Sequence, residues 1–167
     1  MREMRLHKRE VKDTEDLRHI LESCKVVRVG AVDEEGMFIV PVNFGYLLEE
    51  TQEGSQNLKL YFHGAVSGRK ADTFSCSPEV AFEMDGSHAL IRGDYACSYS
   101  YAYESIMGNG RIRVVEDHEE KIYGLSLIMK HLDADSEIFF SEDALTRTKI
   151  YCIEASHFTG KRRTAKA

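Results

Sequence analysis

The sequence predicts a mostly β protein, an antiparallel sheet or barrel flanked by a few helices. Three observations carry this. Runs rich in β-branched, aliphatic and aromatic residues outnumber stretches of helical periodicity; most follow one another directly; and the regular strand-helix alternation of a doubly wound parallel sheet is missing. With 167 residues the chain suits a single domain, 1–167, around one continuous core.

Asp13 or Thr14 can cap a helix on which Leu17, Ile20, Leu21 and Cys24 recur at helical spacing. Val26–Val32, a turn at Asp33-Glu34-Glu35-Gly36, and Met37–Leu48 form the pattern of a hairpin. Pro41 interrupts the second run; lacking an N–H, it marks an edge, a bulge or a departure from the sheet. A polar loop, Glu49–Asn57, precedes a strand at Leu58–His63, and a short helix spans about Gly68 to Cys76. Strands follow at Val80–Met84, Ala89–Tyr103 and Arg111–Glu116, with Gly108-Asn109-Gly110 read as a tight reversal needing positive φ. Asp117 caps a helix with Glu119 and Glu120 in its first turn and Ile122, Leu125, Met129 and Leu132 on one face, and Lys149–Ile153 forms the last strand. Tyr95, Tyr99, Tyr101 and Tyr103 alternate, which places their rings on one strand face that wants a core or a partner surface.

Charge and composition exclude several classes. A net charge of -6 argues against a surface built for nucleic acid. Basic residues gather at the ends, Arg2, Arg5, Lys8 and Arg9, then Lys161, Arg162, Arg163 and Lys166, and read as solvated tails. No apolar run approaches the ~20 residues of a membrane helix and no leader pattern opens the chain, so a cytoplasmic location without membrane attachment is expected. Cys24, Cys76, Cys97 and Cys152 are dispersed without a Cys-x-x-Cys pair and are expected to pack as small buried groups; no metal site is expected. Rossmann, P-loop and nucleophile-elbow motifs are missing, and no pair of carboxylates stands out as acid and base.

The stretch Leu60–Lys70, LYFHGAVSGRK, opens as a buried strand and ends otherwise. Gly64 and Ala65 allow close approach of backbone to a planar or phosphorylated ligand; Gly68, Arg69 and Lys70 set two cations at a helix start. Arg69 suits bidentate contact to a phosphate and Lys70 a mobile point charge, so the stretch reads as an anion socket. On residue types alone, pairing of both cations with nearby acids remains the other reading. His63, at the strand end, suits hydrogen bonding to a ligand near neutral pH or anchoring of the following loop.

One family resemblance gathers these features. Met4-Arg5 with Arg9-Glu10, Pro41-Val42-Asn43-Phe44-Gly45-Tyr46, Leu60-Tyr61-Phe62-His63-Gly64-Ala65, Gly68-Arg69-Lys70, Ser105 with Gly108 and Gly110-Arg111, Glu119-Glu120-Lys121 and Thr159-Gly160-Lys161 resemble the Nim-type proteins. These are named for 5-nitroimidazole resistance and belong to the pyridoxamine 5′-phosphate oxidase-like, FMN-binding split-barrel superfamily. The resemblance implies a homodimer of six-stranded antiparallel split barrels with FMN at the subunit interface. Pro41, Val42 and Asn43, with Tyr61, Phe62, His63 and Gly64, would line the isoalloxazine; Ala65 and Gly68 would border it; Arg69 and Lys70 would hold the phosphate. The partner's Ser105 and the partner's Arg111 would close the site. The activity implied is transfer of electrons from NADH or NADPH through FMN to a small acceptor such as a nitroaromatic, with His63 beside the flavin as the catalytic candidate. The alternative is a non-catalytic protein that holds FMN or haem in the same barrel, haem taking His63 or His157 as axial ligand.

Overall fold

The structure, a computed structural model, describes residues 4–52, 54–76, 78–135 and 137–164. Among these residues eight strands form, β1 (Glu10–Val11), β2 (Val27–Asp33), β3 (Gly36–Val42), β4 (Gly45–Glu50), β5 (Gln56–Ala65), β6 (Glu79–Ile91), β7 (Ser100–Val114) and β8 (Thr148–Arg163). The helices are α1 (Thr14–Ser23), α2 (Arg69–Ser75), α3 (His118–Leu132) and α4 (Glu142–Thr146). The strand order is β3-β2-β6-β7-β8-β5-β4, all neighbours antiparallel, with β1 against β8. The two end strands of that order, β3 and β4, are consecutive in the chain and joined only through Asn43-Phe44, which draws the sheet's two edges together at one corner.

This is the mostly β, antiparallel architecture expected, with eight strands among the described residues where the resemblance implies six. Against the seven runs read from the sequence, the two-residue β1 is added, the 37–48 run is divided at Asn43-Phe44, and the 89–103 run is taken up by the ends of β6 and β7. Pro41 stands on β3, a terminal strand of the sheet, where its missing N–H deprives no central ladder of a bond.

The main core lies on the inner face. Leu17, Ile20 and Leu21 of α1, whose N-cap Asp13 accepts from the N–H groups of Glu15 and Asp16, pack with Val29, Phe44, Leu60, Phe62, Phe74, Met84, Ile106 and Tyr151. A second cluster, Tyr61, Val115, Ile128, Ile150 and Cys152, sits beneath α3. Fully burying such side chains contributes about 1.5–3 kcal/mol each before entropy is counted.

Several expectations change. Gly108-Asn109-Gly110 is no reversal, because β7 runs straight through it with a register shift between Asn109 and Gly110. Neither glycine has positive φ; a side chain on Gly108 would overlap Phe82 and the His157 carbonyl, and one on Gly110 the Glu154 carbonyl. Crowding by neighbouring strands is what selects glycine there. The predicted Ala89–Tyr103 strand is split: β6 ends at Ile91 and β7 starts at Ser100, so Tyr95 and Tyr99 lie in the connection and only Tyr101 and Tyr103 share a strand.

The basic C-terminal segment is not a solvated tail. Lys161, Arg162 and Arg163 extend β8 against β7, and Arg162 donates to both Glu104 and Asp16. At the other end Arg9 belongs to a single 3-10 turn with Lys8, ahead of β1. Arg2 and Lys166 lie outside the described residues. On α3, Ile122, Met129 and Leu132 remain 36–41% exposed, while Gly124 and Ile128 are buried. The helix turns its glycine side inward because only there can its backbone approach Tyr61 and Gly45 closely. Of the cysteines, Cys24 and Cys152 are buried and Cys76 and Cys97 exposed.

Candidate functional site

Alternation along β5 divides its end into two faces. Leu58, Leu60 and Phe62 point into the core, while Lys59, Tyr61 and His63 point outward. Tyr61 is covered by α3, with its hydroxyl donating to Glu120 at 3.0 Å and its ring edge-on to Tyr123. Glu120 is also gripped by both terminal nitrogens of Arg113, at 2.6 and 3.1 Å, and these bonds draw its carboxyl below the usual range. Tyr61 and Phe62 therefore anchor the strand, and what they can present to a ligand is backbone.

His63 is the first residue of the outer face to emerge from under the helix; it is exposed and makes no hydrogen bond to another described residue. Partial removal from water, and then the Lys70 ammonium, lower its pKa, so the ring is neutral at neutral pH. Gly64 follows on the inner face. A Cβ there would stand 2.9 Å from both Cε and Nζ of Lys70 and in ordinary contact with the Tyr151 ring at 3.4 Å, so a side chain would push the end of Lys70 aside. The glycine thus makes room for an ammonium laid over the strand. Lys70 is partly buried, which lowers its pKa, and has no carboxylate partner among the described residues. Ala65 to Gly68 form an exposed connection, closed by Gly68 at φ 103, a conformation that only glycine adopts readily.

Arg69 is differently placed. Its Nε and Nη2 meet the two Asp33 carboxylate oxygens at 2.6 and 2.7 Å, Nη2 also reaches the Gly36 carbonyl at 3.2 Å, and the guanidinium lies 4.5 Å from the Phe38 ring centre. The fork holds the Asp33 carboxyl down at about 2.

Pro41 is exposed and Val42 half-buried, and the Asn43 side-chain amide donates to the Lys25 carbonyl at 2.8 Å. Because Gly45 pairs with Tyr61, Asn43 and His63 stand at the same end of the β4–β5 pair, two residues beyond that match on either strand. The corner is held by His131, a residue the sequence left among seven scattered histidines. Its Nδ1 is 2.6 Å from the Phe44 carbonyl and its Nε2 3.0 Å from that of Leu21. Carbonyls only accept, so both bonds coexist in the charged ring alone, whereas burial pulls the pKa of His131 down.

Ser105 is 8% exposed between Asp85 and Lys161, and Arg111 is exposed between Glu79 and Glu154. They stand six positions apart on one strand, roughly 20 Å. The chain thus gathers His63, Gly64, Ala65, Gly68 and Lys70 around the end of β5, with Asn43 alongside, and leaves Ser105 and Arg111 elsewhere on the sheet. Asp33 and His131 escaped sequence reading because their partners are 36 and 87 residues away.

The sheet's outer face carries a groove of about 580 Å³ floored by Gly30, Ala81 and Gly108 and bordered by Ile39, Met107 and His157. Met37, Ile39 and Met107 expose 87%, 70% and 57% of their surface. Among the described residues no cluster of His, Cys, Asp or Glu could hold a metal ion, and no helix is long and apolar enough to cross a membrane.

The family model for pyridoxamine 5′-phosphate oxidase matches residues 13–162. The chain belongs to that family. The resemblance to its Nim-type members stands beside a crystal structure of a candidate 5-nitroimidazole antibiotic resistance protein from Bacteroides thetaiotaomicron. That structure matches at 28% identity and a TM-score of 0.75, over 92% of this chain and 86% of that one. The fold is shared with the flavocytochrome Anf3 of Azotobacter vinelandii, with a TM-score of 0.76, 19% identity and coverage of 97% and 72%. It is shared too with an FAD- and haem-binding protein of Mycobacterium smegmatis, with a TM-score of 0.77, 15% identity and coverage of 92% and 73%. No curated protein matches the sequence.

Proposed function

We propose that this family member binds FMN at the end of β5, as a homodimer, and passes electrons from NADH or NADPH to a small acceptor such as a nitroaromatic. The observation that carries the reading is the Lys70 ammonium, partly buried over the side-chain-free Gly64 and lacking a carboxylate partner among the described residues. A half-desolvated cation without a counter-ion is unfavourable, and a phosphate monoester supplies the missing charge. The neighbours known as flavin binders share the fold and support the same ligand class.

When bound, the flavin supplies the two-electron chemistry. The chain supplies position and surroundings. Lys70 and the Gly64 and Ala65 backbone receive the phosphate side, and the corner at Pro41, Val42 and Asn43 borders the ring. His63, neutral and without a hydrogen bond to another described residue, offers one N–H to a carbonyl or nitro oxygen and can exchange a proton at its other nitrogen. The apolar outer face of β3 and β7, bearing Met37, Ile39 and Met107, is the surface for the second copy, which brings its own Ser105 and Arg111 strand to the site.

The absorption spectrum of purified protein, then titration with FMN, tests the ligand; a haem spectrum instead would select the non-catalytic reading, with His63 or His157 as the axial ligand. Anaerobic mixing with NADH or NADPH should bleach the flavin, and a nitroaromatic should restore its colour. A bound flavin that neither donor reduces, or that no acceptor reoxidises after chemical reduction, would end the enzyme reading.

A further inference from the structure

We infer that Arg69 is a brace for the β2–β3 turn, held there by Asp33, so that of the two adjacent cations only Lys70 is left to take a phosphate. This rests on the flavin reading above and divides the labour within its anion socket. Three of the guanidinium's donor contacts are already spent, on Asp33 and on the Gly36 carbonyl, and Nη1 lies 3.8 Å from Glu35. One face of the group covers Phe38, which in turn stacks on Phe74 of α2.

The counter-ion is equally committed. Asp33 accepts from the Glu35 N–H at 2.9 Å and from the Thr73 hydroxyl at 3.3 Å besides the fork from Arg69, and its side chain is only 18% exposed. A phosphate that recruited Arg69 would strip a fork-matched ion pair, a carbonyl contact and a ring contact at once, and would leave the Asp33 carboxylate facing its own negative charge.

Helical geometry separates the neighbours. Successive residues of a helix point about 100° apart, so Arg69 turns toward the β2–β3 turn while Lys70 lies back over β5. Lys70 reaches the space that Gly64 vacates, and nothing acidic among the described residues meets it. Sequence adjacency therefore hides opposite roles: one cation is neutralised within the fold and the other is available.

Riboflavin and FMN differ by the phosphate, so the ratio of their dissociation constants, read by quenching of flavin fluorescence on titration with the purified chain, isolates the phosphate contact. Wild type should prefer FMN by roughly tenfold or more, the range of a charge-assisted contact. Lys70→Met should reduce that preference to about threefold or less. Arg69→Met should keep the wild-type ratio while lowering the melting temperature. Should Arg69→Met fail to fold, Arg69→Lys and Asp33→Asn replace it, each expected to melt lower with the ratio intact. Loss of the preference in a folded Arg69 variant, to the extent seen with Lys70→Met, overturns the inference alone. Wild-type protein that binds neither riboflavin nor FMN overturns the flavin reading, and this inference with it.

Discussion

Replacing Gly45 by alanine should loosen α3 from the sheet, and the structure sets the size of the effect. The Cβ of an alanine would fall on the backbone of Leu127 and Ile128, with the Leu127 Cβ 2.7 Å away. Ordinary contact begins near 3.4 Å, so the helix must retreat by the better part of an ångström along its middle. A flexible side chain could swing aside; helix backbone cannot. That retreat lifts Ile128, 1% exposed, from the cluster of Tyr61, Val115, Ile150 and Cys152. Overpacking of this kind costs about 1–3 kcal/mol, which for a chain of this length lowers the melting temperature by roughly 3–10 °C. Thermal unfolding followed by far-UV circular dichroism measures it. Gly30→Ala is the internal control: its nearest neighbours would be 3.8 Å from the new methyl, so its melting point should stay within the equivalent of about 0.5 kcal/mol. If both variants melt together, the close approach of α3 to Gly45 is not what the glycine provides.

Acid should release the β2–β3 turn. The Asp33 carboxyl is held at about 2 in the fold and near 4 in the unfolded chain, so its contribution is complete above pH 4 and fades as pH falls toward 2; Asp33→Asn should flatten that limb of the stability profile. Glu120, lowered first by Arg113, acts with the same sign, and Glu120→Gln should remove a second part of the acid sensitivity without changing stability's slope above pH 6. Thiol titration of native protein should find Cys76 and Cys97 reactive and Cys24 and Cys152 protected until unfolding, burial having raised both of the latter, Cys152 to about 11. Arg162→Ala leaves Glu104, 9% exposed, with only the Ser87 hydroxyl at 2.8 Å and a distant His19 among the described residues. A loss of about 2 kcal/mol in urea unfolding is expected, below the range for fully buried pairs because Arg162 is itself one-quarter exposed.

How much of the fold the sequence discloses depends on whether a signal is local. Asp13 followed by Leu17, Ile20 and Leu21 specifies α1 because capping and helical spacing act within three or four residues, and Asp33 to Gly36 specifies its hairpin for the same reason. Gly108-Asn109-Gly110 misleads because glycine answers two different demands. Positive φ in a turn and crowding beneath a neighbouring strand select the same residue, and only the position of Phe82, His157 and Glu154 tells them apart. The stripe Ile122, Leu125, Met129 and Leu132 misleads likewise: it is the more apolar side of α3, yet the helix is drawn in on Gly124 because Tyr61 and Gly45 admit backbone and not bulk.

The candidate site divides along the same line. Tyr-Phe-His-Gly-Ala is legible as a strand that ends in a ligand-sized gap, since alternation puts Phe62 inward and His63 outward and Gly64 leaves space beside them. The roles of Arg69 and Lys70 are not legible, because they depend on which acid the fold brings up, and Asp33 arrives from 36 residues upstream. A pair of adjacent cations is commonly read as doubled affinity for an anion. In this chain the pairing of one with a buried-side carboxylate, and the isolation of the other over a glycine, make them a structural contact and a recognition contact set side by side. The affinity of the socket should then follow the charge at position 70, and the integrity of the β2–β3 turn the charges at positions 33 and 69.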